Sequence, residues 1–499
     1  MFMFARKYLI KVLATILSSV LSFASLMVMT RYVGSEYGVM MWGFSFIAVF
    51  NAVSDLGFAS AHIKKMTEGE DHDQCITTFV IIKVALTAAA VAAVLITLLI
   101  QGFMGYEYSR EMKIVVMLFV VYYMIFNLTG IMTNTYLARM EAGKESAVLV
   151  TESAVRSAFL IIFAVVGVSA SVLSVSYIIG AVSALTVCLI IFRSVGYRPK
   201  RPLIVRKYVS FAAPLAVACI LTTAINNLDR VLIGIYYGSE DVGFYSAAMG
   251  IIYAMTIIGT VVGGLLLSHF STLNSESRKD DMRNTFWTIQ RYTMMLMLPI
   301  MVFFIVFGVE TSAILFGEGF SDAGNILSVL VISAPITMIL TVNVQLLASL
   351  NKTYVYGKIT IIYSIIIISM FMLTIPDNLF GFRMLGMGTI GAAVSVVVGN
   401  FAFFAMTSIS SAKIAGISIY PKIYLHVAAM VASLVVAYLI DWHTHVQGII
   451  SVLFALLLTV VAYFSVLIVT KEFSRSDVRF MLDVLGVRNT HTTTKDDKK

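Results

Sequence analysis

Charge is what this chain has least of. Only 12% of its 499 residues are charged and 59% are hydrophobic, whereas soluble domains carry roughly 25% charged residues. A water-soluble exterior over a chain of this length is thereby excluded. Cysteine is nearly missing too. Cys75, Cys188 and Cys219 stand singly in apolar stretches, which excludes a disulfide framework and a paired-cysteine metal site. Proline occurs seven times; Pro214, Pro299 and Pro335 fall inside apolar runs and are expected to kink them. No GxxxxGKS/T loop is present, which excludes ATP hydrolysis by that route. No catalytic carboxylate pair is evident, so glycosyltransferase and polymerase readings lose ground and no enzyme activity is expected. Neither a cofactor nor a metal is expected. The net charge of +8 would suggest nucleic acid in a soluble protein; here, with no nucleic acid expected, it raises the question of sidedness.

What the chain does have is apolar blocks about as long as a bilayer-crossing helix of roughly 20 residues. They fall near 9–30, 39–62, 76–100, 113–138, 146–168, 170–192, 208–234 and 242–267, then near 287–309, 323–349, 354–375, 385–408, 422–441 and 447–470. Fourteen crossings put both termini on one face. The basic residues agree: segments on that face hold Lys64, Lys65, Arg139, Lys144, Arg193, Arg198, Lys200 and most of the others. The opposite face has only Arg31, Arg110, Lys113, Arg230 and Arg383. By the positive-inside rule, both termini are cytoplasmic. Residues 1–30 resemble a secretory signal only superficially, because the apolar run is too long; they are read as the first crossing helix. No large loop emerges on the outer side. In the tail, Phe473, Val478, Met481, Leu482 and Leu485 could form one stripe of an interfacial helix, and the last dozen residues are expected to be disordered.

A repeat organises these runs. Gly34-Ser35-Glu36 returns as Gly238-Ser239-Glu240, each turn following an odd-numbered run on the outer side. Leu137-Ala138 and Leu347-Ala348 end the fourth and tenth runs, and Lys83 in the third run corresponds to Arg291 in the ninth. Repeats with like orientation imply two lobes related by an axis along the membrane normal, a design of secondary transporters. The expected fold is therefore all-α: a six-helix lobe over 1–200, a second over 201–412, two added helices over 413–470 and a cytoplasmic tail over 471–499, with a cavity between the lobes. The glycines of GTVVGG at 259–264 suggest close packing at the lobe interface.

Several segments also resemble a known family. ARKYLIKVLATILSSVLSFASLMVMTRYVGSEYGV with SDLGFASAHIKK, FAAPLAVACILTTAINNLDRVLIGIYYGSEDVGFYSAA, LFGEGFSDAGNILSVL and LGMGTIGAAVSVVVGN are similar to polysaccharide-export, O-antigen-type flippases of the multidrug/oligosaccharidyl-lipid/polysaccharide (MOP) superfamily. The likeness spans roughly residues 1–470. It implies a substrate made of an oligosaccharide on polyprenyl phosphate or pyrophosphate, moved from inner to outer leaflet of the cell membrane. Glycosyltransferases or a glycan polymerase are the partners it implies, with membrane lipids around the bundle.

Ionisable residues at membrane depth cost at least about 2.5–3.5 kcal/mol, so they normally face a cavity or a partner. Arg156 lies near mid-bilayer with Glu152 four residues earlier, spaced for an ion pair; the arginine either locks the helix or meets the phosphate, which its planar fork suits. Asp55 and Lys83 lie at matched depth and either pair or leave Asp55 as a coupling carboxylate for protons or sodium. Arg31 and Arg230, the latter beside Asp229, either snorkel to headgroups or flank the cavity mouth. Arg291 sits at the inner interface or contributes to the same site. The substrate-binding candidates are thus Arg31, Lys83, Arg156, Arg230 and Arg291; the ion-coupling or ion-pair candidates are Asp55, Glu152 and Asp229. Asn127, Asn134, Asn226, Asn227, Asn343, Gln345 and Asn400 serve either sugar hydroxyls or helix contacts. A cation-coupled multidrug antiporter of the same superfamily is the alternative reading, disfavoured because buried basic residues at least equal the acids.

Overall fold

The computed structural model describes residues 2–103, 108–444, 446, 448–474 and 476–479. The first part of the chain forms α1 (Phe2–Val33), α2 (Ser35–Asn51), α3 (Phe58–Thr67), α4 (His72–Phe103), α5 (Arg110–Ala138), α6 (Ala142–Val166) and α7 (Ala170–Phe192). The second forms α8 (Val205–Tyr236), α9 (Ser239–Ser275), α10 (Lys279–Phe316), α11 (Asp322–Leu330), α12 (Ser333–Ser349), α13 (Thr353–Thr374) and α14 (Gly388–Ala415). Then come α15 (Ile423–Thr444) and α16 (Ile449–Val469). Among the described residues, fourteen helical segments are long and apolar enough to cross a membrane. Fourteen such segments leave the start of α1 and the end of α16 on one face, called the terminus side; the other is the far side. A two-residue hairpin, β1 (Asn378–Leu379) with antiparallel β2 (Phe382–Arg383), joins α13 to α14 on the far side.

Two six-span lobes result, with α15 and α16 packed on each other and on α10. Contacts between the lobes obey a two-fold relation. α1 packs on α9, its counterpart α8 packs on α2, and α2 meets α9 at the axis. The repeated turns explain this. Gly34 and Gly238 take φ of 50° and 99°, left-handed conformations that glycine adopts at little cost, and each starts the helix that faces its copy. A Cβ on Gly38 would stand 1.9 Å from the Ser239 carbonyl oxygen, and one on Gly243 would stand 3.3 Å from Gly38 Cα. The turn recurs because its two copies abut. Glu36 adds a cap: its carboxylate accepts from Ala170 N at 2.7 Å, while Glu111 accepts from Ser171 N at 2.8 Å. Both acids thus satisfy free amides at the positive end of α7.

The buried core is shared on the far side and divided on the terminus side. One cluster joins Leu26, Trp42 and Phe119 of the first lobe to Tyr245, Phe316 and Leu327 of the second. Toward the terminus side, separate clusters form around Phe79 and Tyr208 and around Phe270 and Phe286. Helix α8 crosses between the lobes. Its first half packs into the first lobe, where Tyr208 Oη lies 3.0 Å from His62 Nδ1 and donates to Cys75 O. Among the described residues, no hydrogen bond, ion pair or ring contact joins residues 9–22 of α1 to 263–275 of α9.

Several expectations need correction. The second apolar run is not one helix: it breaks after Asn51 and restarts at Phe58. The tenth run is split between α11 and α12, just ahead of Pro335. In α10 the backbone leaves helical geometry at Phe307 (φ −107°, ψ 27°), beyond Pro299, whereas α8 runs unbroken through Pro214. Gly259 and Gly263 do not lie at the lobe interface; they face Met338, Thr341 and Gln345 of α12, inside the second lobe. Cys75 and Cys188 are buried as expected of small hydrophobes, while Cys219 is half-buried. In the tail, Phe473 packs edge-on against Phe464 and Val478 is exposed; Met481, Leu482 and Leu485 lie outside the described residues.

Candidate functional site: the lobe junction and the broken second span

Asn51, Ser54, Asp55 and Gly57 interrupt an otherwise apolar helix. Ser54 Oγ lies 2.7 Å from Asn51 O, 2.8 Å from Asn51 Oδ1 and 3.1 Å from Asn127 Oδ1. Asn127 Nδ2 in turn donates to Asn51 Oδ1 at 2.8 Å. These short polar side chains offer the backbone partners other than its own helix. Leu56 (φ 47°) and Gly57 (φ 83°) then turn the chain left-handed. Gly57 is required twice over, since a Cβ there would come 3.0 Å from Leu215 Cβ on α8. Asp55 sits at the break with its side chain 37% exposed, and Lys83 Nζ reaches its Oδ1 at 3.1 Å while itself only 7% exposed. The expected Asp55–Lys83 pair is thus formed. It stands where a spanning helix is discontinuous, the place where transporters tend to build their sites.

The remaining charged candidates do not gather around one cavity. Arg156 Nε donates to Glu152 Oε1 at 2.7 Å, a terminal nitrogen reaches Ser22 Oγ at 3.2 Å, and the guanidinium lies 5.0 Å from the Tyr177 ring centre. That assembly is internal to the first lobe, between α1, α6 and α7. Arg230 and Asp229 are buried between α8 and α9 and do not snorkel. Arg230 donates to Ser246 Oγ at 3.1 Å and Asn226 O at 3.0 Å, and Asp229 accepts from Tyr245 Oη at 2.8 Å. Arg31 does not snorkel either. Although exposed, it crosses between lobes to donate to the carbonyls of Leu315, at 3.1 Å, and Ile314, the last turn of α10, where a cation meets the negative helix end. With Ser35, Glu240 and Phe320 it lines a far-side hollow of about 480 Å3 at the lobe junction.

Arg291 is engaged by the chain's own tail. It donates to Glu472 Oε1 at 2.9 Å and to both Asp477 oxygens at 2.8 Å. Tyr292 Oη donates to Asp477 Oδ1 at 2.9 Å, and Lys422 lies 3.3 Å from Glu472. Burial would raise both carboxyls, yet hydrogen bonds and charge from Arg291, Ser474 and Tyr292 hold Asp477 well below the usual carboxylate range. For Glu472, burial is likewise outweighed, by Tyr420, Arg291 and Lys422. Sequence reasoning missed this latch because its acids follow the last crossing. It also missed the Asn51–Ser54–Asn127 cluster, although Ser-Asp-Leu-Gly within an apolar run is a breaker signal. Two further amides bond between helices, Asn343 to Ser408 at 2.9 Å and Asn400 to Thr337 at 3.2 Å, whereas Asn134 and Asn227 donate to Gly130 O and Thr223 O of their own helices.

Two lobes joined in this way define the fold. Known proteins share it. The structure aligns with the lipid II flippase MurJ in an inward closed conformation, at a TM-score of 0.73 and 14% identity, over 93% of this chain and 99% of that one. An inward-facing multidrug resistance MATE family transporter of the MOP superfamily aligns at 0.61 and 12%, over 81% and 98%. A MOP superfamily transporter from Pyrococcus furiosus, described as having a binding pocket of reverse polarity, aligns at 0.57 and 12%, over 82% and 95%. Identities this low establish the fold alone. A comparison with curated proteins finds no match. A family model described as "Polysaccharide biosynthesis protein" matches residues 28–325, more than half of the chain, so this protein belongs to that family and carries the fold of the MOP superfamily of flippases and transporters.

Proposed function

We propose that this chain is a flippase carrying an oligosaccharide linked to polyprenyl phosphate or pyrophosphate across the cell membrane, from the terminus side to the far side, by alternating access. The observation that carries this reading is the divided core: apart from the first half of α8, which packs on the first lobe, the buried clusters of the two lobes join on the far side. A sugar headgroup would enter from the terminus side while the lipid tail stays in the bilayer. Lys83, balanced by Asp55, would meet the phosphate; Arg31 would loosen from α10 as the far side opens. Arg156 and Arg230, held in pairs, would shape the walls of the passage. The bias of basic residues supports a cytoplasmic terminus side. A doubly charged pyrophosphate moving outward would then gain about 4–5 kcal/mol per 100 mV of inside-negative potential. Glycosyltransferases on the cytoplasmic side and a polymerase outside are the partners such a carrier would serve.

Purified protein in liposomes should move a fluorescent polyprenyl-pyrophosphate-linked sugar between leaflets, and Lys83→Glu should abolish that movement while the protein remains inserted. Failure of the wild-type protein to move this lipid would sink the proposal. Impermeant thiol labelling of Lys200→Cys and Arg383→Cys from either side checks the orientation. One observation favours a cation-coupled multidrug antiporter instead: the Asp55 carboxylate is partly exposed in a broken helix, and multidrug transporters share the fold. Cells expressing the protein would then resist cationic drugs.

A further inference from the structure

Away from the lobe junction, hollows along α4 and α5 lead outward from Lys83, beyond the residues assigned to the passage of a headgroup. A hollow of about 520 Å3 lies beside Val91, Leu95 and Met124, with Lys83 at one end. It shares Leu95 with a second, of about 400 Å3, that reaches Leu99, Tyr108 and Lys113. A third, of about 360 Å3, shares Lys113 and Met117 and includes Arg110. Together they make one groove along the outside of the first lobe. Its walls are apolar and open to lipid, since Leu95, Leu99, Met117 and Met124 are all exposed.

We propose that this groove binds the isoprenoid chain of a polyprenyl phosphate, with the phosphate against Arg110 and Lys113 on the far side. Three features select that occupant. The first two hollows lie in the seam between two helices, which suits one chain better than the paired chains of a phospholipid. From Lys83 to Gly102, α4 rises roughly 28 Å, well beyond the ~15 Å depth of one leaflet of a ~30 Å core; a long isoprenoid can follow it and a leaflet-deep acyl chain cannot. Its two ends differ in charge. Lys83 is neutralised by Asp55, whereas among the described residues neither Arg110 nor Lys113 has an ionic partner, and the neighbouring Glu111 is turned toward Ser171 N. The free cations sit at the far-side mouth, where a carrier phosphate would lie after translocation. The inference deepens the flippase reading and rests on it for the identity of the lipid.

The test uses full-length protein in liposomes containing alkyne-tagged undecaprenyl phosphate, with a photo-cross-linking amino acid in place of Leu95 or, as a control, in place of lipid-facing Val435 on α15. Leu95 should label strongly and Val435 weakly. Unlabelled undecaprenyl phosphate should compete, and phosphatidylglycerol should not. Arg110→Ala/Lys113→Ala should weaken binding about tenfold or more, from the loss of two cations near the surface; an unchanged melting point excludes misfolding. Equal labelling at both positions, equal competition by phosphatidylglycerol, or indifference to the double substitution would overturn the groove. Binding needs no transport, so the two readings separate: labelling without lipid movement in the flipping assay removes the flippase reading, and movement without labelling removes only the groove.

Discussion

At the scale of single residues, the charges inside the membrane are settled by partners. Arg156 and Glu152 are four apart, and that pairing was legible because helical spacing alone brings them together. Ser22 and Tyr177, which complete the same assembly, were not legible, because they come from helices whose packing no local pattern encodes. Asp55 and Lys83 are an intermediate case: matched depth suggested the pair, but only the break in the helix delivers the carboxylate to the amine. Removing one partner of such a pair leaves the other uncompensated. Lys83→Met should therefore lower stability by about 1–3 kcal/mol, less than for a fully buried pair because Asp55 is partly exposed. The double variant Asp55→Asn/Lys83→Met should recover much of the loss. Thermal midpoints in detergent measure both, and a double variant no more stable than Lys83→Met would show that the pair is not the cause.

Among elements, the decisive contact is between the starts of α2 and α9. The sequence shows that the Gly-Ser-Glu turn is repeated; it does not show that the copies touch. Gly38 has no room for a methyl group against the Ser239 carbonyl, while Gly34 faces open space and is constrained only by its backbone. Gly38→Ala should disfavour the closed far side by about 1–3 kcal/mol, the usual range for overpacking. A cysteine in place of Thr30, which is buried beside this junction, should become more reactive to an impermeant thiol reagent. Gly243→Ala, with a looser 3.3 Å approach, should raise reactivity less. If Gly38→Ala leaves the Thr30→Cys reporter as protected as before, the turn is not what holds that side shut. The broken second span teaches the same point from the other direction. Its breaker residues are visible in sequence, but hydropathy over a twenty-residue window averages them away.

For the whole molecule, the chain's last described segment is tied through Glu472 and Asp477 to Arg291 of the second lobe and to Tyr420 and Lys422 just ahead of α15. Both carboxyls are held below their ordinary range. A depressed folded pKa adds stability that is present above the unfolded pKa and lost as pH falls through the folded one. The latch should thus be constant across neutral pH and weaken only below about pH 4, the unfolded carboxylate range. Glu472→Gln/Asp477→Asn should lower the melting point by the same amount at pH 6 and pH 8, and by less under strong acid. A deficit that shrinks toward alkaline pH would contradict the assignment.

Hydropathy, charge asymmetry and the recurring turn determined the class of this protein, its fourteen crossings and its two like-oriented lobes. Each of those is written in runs or spacings along the chain, and bilayer thickness converts run length directly into structure. Only the tertiary structure decided which charges meet, that the second span breaks at Asp55, that Arg291 serves the tail, and that apart from α8 the lobes share a core on the far side. Those outcomes depend on side chains from 28 (Asp55–Lys83) to 186 (Arg291–Asp477) residues apart arriving at one place, and nothing local to either partner specifies the other.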